Sequence, residues 1–314
     1  MLLQTIISQG SVSFSDIETP VEVLEIGTDI TPTSLYWLRP HLASDFPSVT
    51  CDKTYFWVYG SDHDIGSGGI YWGKGNNLDM SDFEELGLII SGDQAETPFA
   101  DFYTGTTNPF HLYYHVDAGA PGSGGVQRTR VITTTGGLLH TATYTASAGV
   151  LGAETGDQHL GYMKYWDVNG VKKAIHYKTG ASLPDNIGTW QKSVIASDGF
   201  SATRGDLYDV TNGMTEGYRS LPTFGWFFYE YNRWWWIGIK KPVEDWEKWD
   251  NILCLCRADD NLDIQEELTE LNGGVGNGTW EIFPRNGKFH LYHIAESGFV
   301  EYSTWDKKNL LAFT

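Results

Sequence analysis

The chain is short of cysteine, of positive charge and of long apolar runs. Its three cysteines, Cys51, Cys254 and Cys256, are an odd number, which excludes a disulfide framework. Cys254 and Cys256 alternate along one apparent strand and share a face. Without further ligands at metal spacing they read as buried structural thiols rather than half a zinc site. Only 21 Lys and Arg stand against 40 Asp and Glu, a formal net charge of −19. That balance offers no basic surface to nucleic-acid phosphates or to anionic headgroups, so no nucleic-acid partner is expected. No apolar run reaches the roughly 18 residues of a membrane helix, and no membrane insertion is expected. A secretion signal is not readable either, because no Lys or Arg precedes Arg39 and Asp16 and Glu18 interrupt the early apolar residues.

What is abundant points the other way. Aromatics make up 14% of the 314 residues, with 13 Trp and 36 Gly, while charged residues are only 19%. Disordered chains show the reverse, so this one folds around a large core. Helix signals are nearly absent; the best candidate, 243–249, is short. Aromatic and β-branched runs dominate at 55–60 (YFWVYG), 110–116 (FHLYYHV), 225–231 (GWFFYEY), 234–239 (WWWIGI) and 289–294 (FHLYHI), each bounded by turn formers. Asn169-Gly170, Asn212-Gly213 and Asn286-Gly287 are hairpin-type dipeptides. Trp234, Trp235 and Trp236 alternate faces along one strand, so they cannot share one role, and core packing is the favoured one.

The strands recur. In 43–90 a first strand, a turn at 52–54, an aromatic return, a third strand and a Glu-rich fourth follow one another. The segment 77–86 (NLDMSDFEEL) is echoed at 261–268 (NLDIQEEL). First strands fall near 43, 95, 157, 215 and 278, giving five units of about sixty residues. The last unit lacks a fourth strand, and 21–26 (VEVLEI) has no unit of its own. The reading is an all-β chain, a five-bladed β-propeller closed by an N-terminal strand. Residues 1–35 would hold the closing strand and 36–314 the propeller. Closure of that kind removes two exposed sheet edges. Even spacing argues for this over a β-sandwich or two stacked sheet domains.

The blade pattern resembles glycoside hydrolase family 43 and its relatives in the invertase and arabinanase group. The residues that carry the likeness are Asp45-Phe46-Pro47, the run 55–64 (YFWVYGSDHD), 68–78 (GGIYWGKGNNL), Glu96-Thr97-Pro98-Phe99, His111-Leu112-Tyr113-Tyr114 and Glu216-Gly217-Tyr218. The resemblance spans about 280 residues. It implies carboxylates on the innermost strands facing a central funnel: an Asp as general base on the first blade, an Asp that tunes a pKa on the second, a Glu as general acid on the third. Asp45 matches the first. The second blade offers Glu96 or Asp101. The family's Glu-Gly pair stands one unit later here, as Glu216-Gly217.

Glycoside hydrolysis needs one protonated and one ionised carboxyl group across the scissile bond, and carboxylates crowded in a funnel can supply both. Asp45, Glu96 and Glu216 are therefore the candidate catalytic residues. His159, beside Asp157 and Gln158, is a candidate for sugar hydroxyls or for helping to hold an ion. Tyr218 and Arg219 follow Glu216, and a guanidinium fork suits a carboxylated or sulfated sugar. Trp280, with Glu281, is the fifth unit's contribution. Asp62-His63-Asp64 opens like a calcium loop but has Ser67 at its sixth position and Gly73 at its twelfth. No metal ligand set is assigned and no organic cofactor is expected; a structural calcium ion is compatible with the pattern. The expected partner is carbohydrate. The rival reading is a non-catalytic glycan-binding or structural propeller, for example a phage receptor-binding component, and the location would be cytoplasmic or virion-associated unless a leader was removed.

Overall fold

A computed structural model describes residues 34–37, 48–51, 56–61, 69–79, 81–90, 95–102, 110–116, 128–134, 143–144, 150–151, 157–180, 189–244, 251–271, 278–295 and 299–314. The first strand, β1 (Ser34–Trp37), belongs to the last of five four-stranded antiparallel sheets. Sheet one holds β2 (Ser48–Cys51), β3 (Phe56–Ser61), β4 (Ile70–Gly75) and β5 (Glu84–Ile90). Sheet two holds β6 (Ala95–Phe102), β7 (Phe110–Val116), β8 (Arg128–Thr134) and β9 (Thr143–Tyr144). Sheet three holds β10 (Asp157–Val168), β11 (Val171–Gly180), β12 (Thr189–Ile195) and β13 (Ala202–Tyr208). Sheet four holds β14 (Tyr218–Glu230), β15 (Arg233–Pro242), β16 (Ile252–Ala258) and β17 (Ile264–Glu270). Sheet five holds β18 (Gly278–Arg285), β19 (Lys288–Ala295) and β20 (Phe299–Asp306), and β1 pairs with β20, Ser34 opposite Tyr302. A 3₁₀ helix, Lys307–Phe313, follows, its start capped by Asp306 accepting from the Lys308 N–H.

The strand that completes sheet five thus lies astride residue 35, while 21–26 falls outside the described residues, as does most of the expected helix at 243–249. The first strand of each sheet contacts the first strand of the next: β2 with β6, β6 with β10, β10 with β14, β14 with β18, and β18 with β2.

Consecutive sheets pack face to face through apolar side chains. Tyr59 and Trp72 of sheet one pack with Leu112 and Tyr114 of sheet two. Phe99 and Tyr113 pack with Met163 and Tyr165 between sheets two and three. Trp166 and Val168 meet Phe227 and Trp236 between sheets three and four. Phe228 and Trp235 meet Phe289 and Trp305 between sheets four and five. The consecutive residues Trp235 and Trp236 therefore serve opposite interfaces, as strand alternation requires. Both are fully buried, and burial of such a ring is worth about 2–3 kcal/mol. Cys254 and Cys256 lie in the interface of sheets three and four, their sulfurs 3.9 Å apart, and burial pushes the Cys256 thiol well up. Sheet five reaches sheet one through the Tyr292 hydroxyl, which donates to the Leu78 carbonyl at 2.7 Å.

Candidate functional site

Three first strands end in two-residue hairpins of left-handed residues: Asn169-Gly170 after β10, Tyr231-Asn232 after β14 and Asn286-Gly287 after β18. Counting back from the last strand residue, Lys164, Trp226 and Glu281 each stand four positions before the turn, at Val168, Glu230 and Arg285. These equivalent positions meet. The Lys164 ammonium lies 2.5 Å from the Glu281 carboxylate, with side chains 9% and 3% exposed. Lys164 belongs to sheet three and Glu281 to sheet five, so the pair bypasses sheet four and links the first strands of sheets three and five. Trp226 of sheet four stands beside it, the ammonium 6.0 Å from its ring. Trp226 packs against the clusters on both sides of its own sheet and also against the one between sheets two and three, which includes Met163 and Tyr165 of the neighbouring sheet three. Lys164, Trp226 and Glu281 thus form one cluster, a floor between the first strands of sheets three, four and five.

Just before the floor, three first strands carry bulges. The register slips between Glu96 and Phe99 in β6, between Gly161 and Lys164 in β10, and between Leu221 and Gly225 in β14. Two of these hold a proline, Pro98 or Pro222, which has no N–H for a ladder and is tolerated at a bulge of an edge strand. In β14 the Trp236 indole N–H donates to the Pro222 carbonyl at 3.2 Å. The ring of Trp236 lies so close to Gly225 that an added Cβ would come within 2.5 Å of its Nε1, so glycine is required there. A bulge bends its strand and is common beside active sites. Here each separates the hairpin-side half of its strand from the half where the strand enters the sheet.

The sequence-derived candidates map to those entering ends. Glu216 is exposed, in the turn before β14, and Gly217 takes φ +84 to start the strand. That turn is fastened: Gly213 accepts from the Glu267 N–H, and the Thr215 N–H donates to the Glu267 carboxylate. Tyr218 opens β14 with the Lys240 ammonium 4.3 Å over its ring. Lys240 is itself held by Glu267 and Glu270; burial would depress its pKa, but those two carboxylates outweigh it and raise the value. Arg219 is buried, and loss of water pulls its guanidinium below the ordinary range, against the opposing effect of Tyr177. Glu96 pairs with His115 in β6, His159 with Thr179 in β10, and Trp280 with His293 in β18. Their side chains, and Asp45 entirely, lie outside the described residues. A second slip between Asp157 and His159 puts the acidic start of β10 at a bulge of its own. Sequence reasoning passed over Lys164, Trp226 and Thr97. The available signals were a lone lysine inside an apolar run, Met163-Lys164-Tyr165-Trp166, and prolines within otherwise strong strands. Among the described residues, no group of three or more His, Cys, Asp or Glu is placed to hold a metal ion. No helix among them is long and apolar enough to cross a membrane.

The arrangement of sheets matches solved structures. The endo-arabinase from Bacteroides thetaiotaomicron aligns at TM-score 0.59 and 12% identity, over 86% of this chain and 97% of that one. The fold is that of β-propeller glycosidases. The Bombyx mori family 32 β-fructofuranosidase aligns at TM-score 0.57 and 11% identity, over 90% of this chain and 64% of that one. The family 43 enzyme from Xanthomonas citri, complexed with xylose, aligns at TM-score 0.54 and 12% identity, over 87% of this chain and 89% of that one. No family model matches the sequence.

Proposed function

We propose that the chain is a glycoside hydrolase. The five sheets are blades of one propeller, closed by β1 as the outer strand of the fifth. It cleaves a poly- or oligosaccharide at the entering ends of the first strands, by acid–base hydrolysis and without an organic cofactor. The observation that carries the reading is the glycosidase fold shared over 86% of the chain. The floor made by Lys164, Trp226 and Glu281 supports it, because in a closed propeller it would block one end of the central space and leave the entering end for a ligand.

In this reading Asp45 is the general base acting through a water. Glu216 is the first choice for the acid that protonates the leaving oxygen, and Glu96 the second. His159, Tyr218, Arg219 and Trp280 contact the sugar. An endo-arabinase, a xylose complex and a β-fructofuranosidase are among the solved structures that align, so pentose- and fructose-containing glycans are the first substrates to try. The test is release of reducing ends across a glycan library, wild type against Asp45→Asn. Turnover by the wild type and none by the near-isosteric variant is the expected result. The rival, a glycan-binding or virion propeller without catalysis, draws on the solvent exposure of Glu216. Binding of glycans without hydrolysis of any would favour it.

A further inference from the structure

Thr97 has a left-handed backbone, φ +48, and three features make that costly. Its Cβ is branched, it lies inside a strand, and a proline follows, which disfavours helical-type ψ at the residue before it. It is 5% exposed. A proline at a bulge does not itself demand this conformation: β14 accommodates Pro222 in its bulge with no positive φ between Leu221 and Gly225. The surroundings must impose it. Across the interface of sheets two and three, the Tyr162 N–H donates to the Thr97 Oγ1 at 3.2 Å, and Tyr162 is likewise left-handed, φ +52, at the bulge of β10. Two strained residues on neighbouring first strands thus hold each other. One of them follows Glu96 directly. Strain retained against this many local preferences marks a place where backbone direction has a use.

We propose that Thr97 is a positioning residue for Glu96. The Thr97–Tyr162 contact fixes the backbone at the entering end of β6 against β10, and so sets where Glu96 stands relative to a bound glycan. The proposal rests on the glycosidase reading and deepens it, since it gives Glu96 a part in the reaction. Thr97 itself touches no reacting atom. It moves no proton; it holds a strand.

The test uses full-length Thr97→Val, Thr97→Asn and Thr97→Gly on a glycan the wild type cleaves. Valine keeps the shape and removes the acceptor. Its kcat should fall about tenfold to a hundredfold, the usual scale for a misplaced catalytic group, with KM within about twofold and one limb of the pH–rate profile displaced. Asparagine tolerates the left-handed region and carries an oxygen for the Tyr162 N–H, so it should recover most of the rate. Glycine should fold, because positive φ is free to it, and should be slow. Adding Thr97→Val to Glu96→Gln should cost little beyond Glu96→Gln alone. Wild-type kcat and pH profile in folded Thr97→Val overturn the proposal; should valine not fold, wild-type rates in Thr97→Gly do the same. Additive losses in the double variant also overturn it. If the wild type cleaves no glycan at all, the glycosidase reading and this inference fall together; if it cleaves and the Thr97 variants are unaffected, only the inference falls.

Discussion

The two ends of the first strands are built from different materials. Toward the hairpins, β10, β14 and β18 place Lys164, Trp226 and Glu281 at matching positions, and these three meet in a buried ion pair beside an indole. Toward the entering ends, bulges break the ladder, the backbone of Thr97 and Tyr162 is strained, and polar residues such as Glu216 reach solvent. The first arrangement maximises packing and satisfies charge internally. The second gives up regular pairing. Under the proposed function, that contrast separates residues that hold the fold together from residues available for chemistry.

Substitution should separate them in the same way. The largest effect on stability is expected from Lys164→Met, which removes the ammonium from the buried Glu281 carboxylate and should cost about 3–5 kcal/mol in urea denaturation. Adding Glu281→Leu should return most of that loss, because two matched apolar groups replace two matched charges. A cost under about 1 kcal/mol for the single variant would mean the pair is solvated and the floor open. Trp226→Ala follows, at about 3 kcal/mol, the lower part of the range for a large ring that retains some exposure. At the entering end the signs divide. Glu216→Gln should leave stability within about 0.5 kcal/mol, as for an exposed position, yet slow hydrolysis about a hundredfold or more if it is the acid. Equal effects on both properties would erase the distinction between the two ends.

A smaller effect concerns pH. His290, beside the β18–β19 hairpin, has its pKa lowered to about 4, first by burial and then by the nearby Lys288 and Arg285 charges, against a backbone hydrogen bond at Arg285. Its Nδ1 lies 2.7 Å from the Tyr302 hydroxyl. The unfolded chain protonates this group near 6.5, so between 6.5 and about 4 the unfolded state binds more protons. Stability from this residue is complete above that window and declines as pH falls through it. Thermal melts of wild type and His290→Asn at pH 7 and pH 4.5 check this: the difference between the two proteins should shrink at the lower pH.

Much of this plan was legible in the residues. Glycine after asparagine named the Asn169-Gly170 and Asn286-Gly287 hairpins, because few other residues accept positive φ. The run Trp234–Trp236 announced a strand buried on both faces. First strands read near 95, 157 and 278 open at Ala95, Asp157 and Gly278. In sheet one the first strand, read at 43–51, is described over Ser48–Cys51, and 43–47 lie outside the described residues. The completing strand was expected within 1–35, with 21–26 singled out because VEVLEI has no unit of its own, whereas the strand described in sheet five is Ser34–Trp37, paired with β20. Asn212-Gly213 shows another limit. It marks a turn, but Gly213 is needed because the backbone of Gln265 lies where a Cβ would go, a contact 52 residues away in sequence. The central floor was least legible. Lys164 and Glu281 are partners only because the chain circles back after 117 residues, and no local pattern encodes that meeting.

The most direct measurement is proton NMR of fresh hydrolysis products from the first glycan the wild type is found to cleave. A general base at Asp45 working through water predicts inverted anomeric configuration in the initial product, and loss of product in Asp45→Asn. Retained configuration would contradict the assignment of Asp45. The absence of any product from pentose-, fructose- and hexose-based glycans would contradict hydrolysis itself.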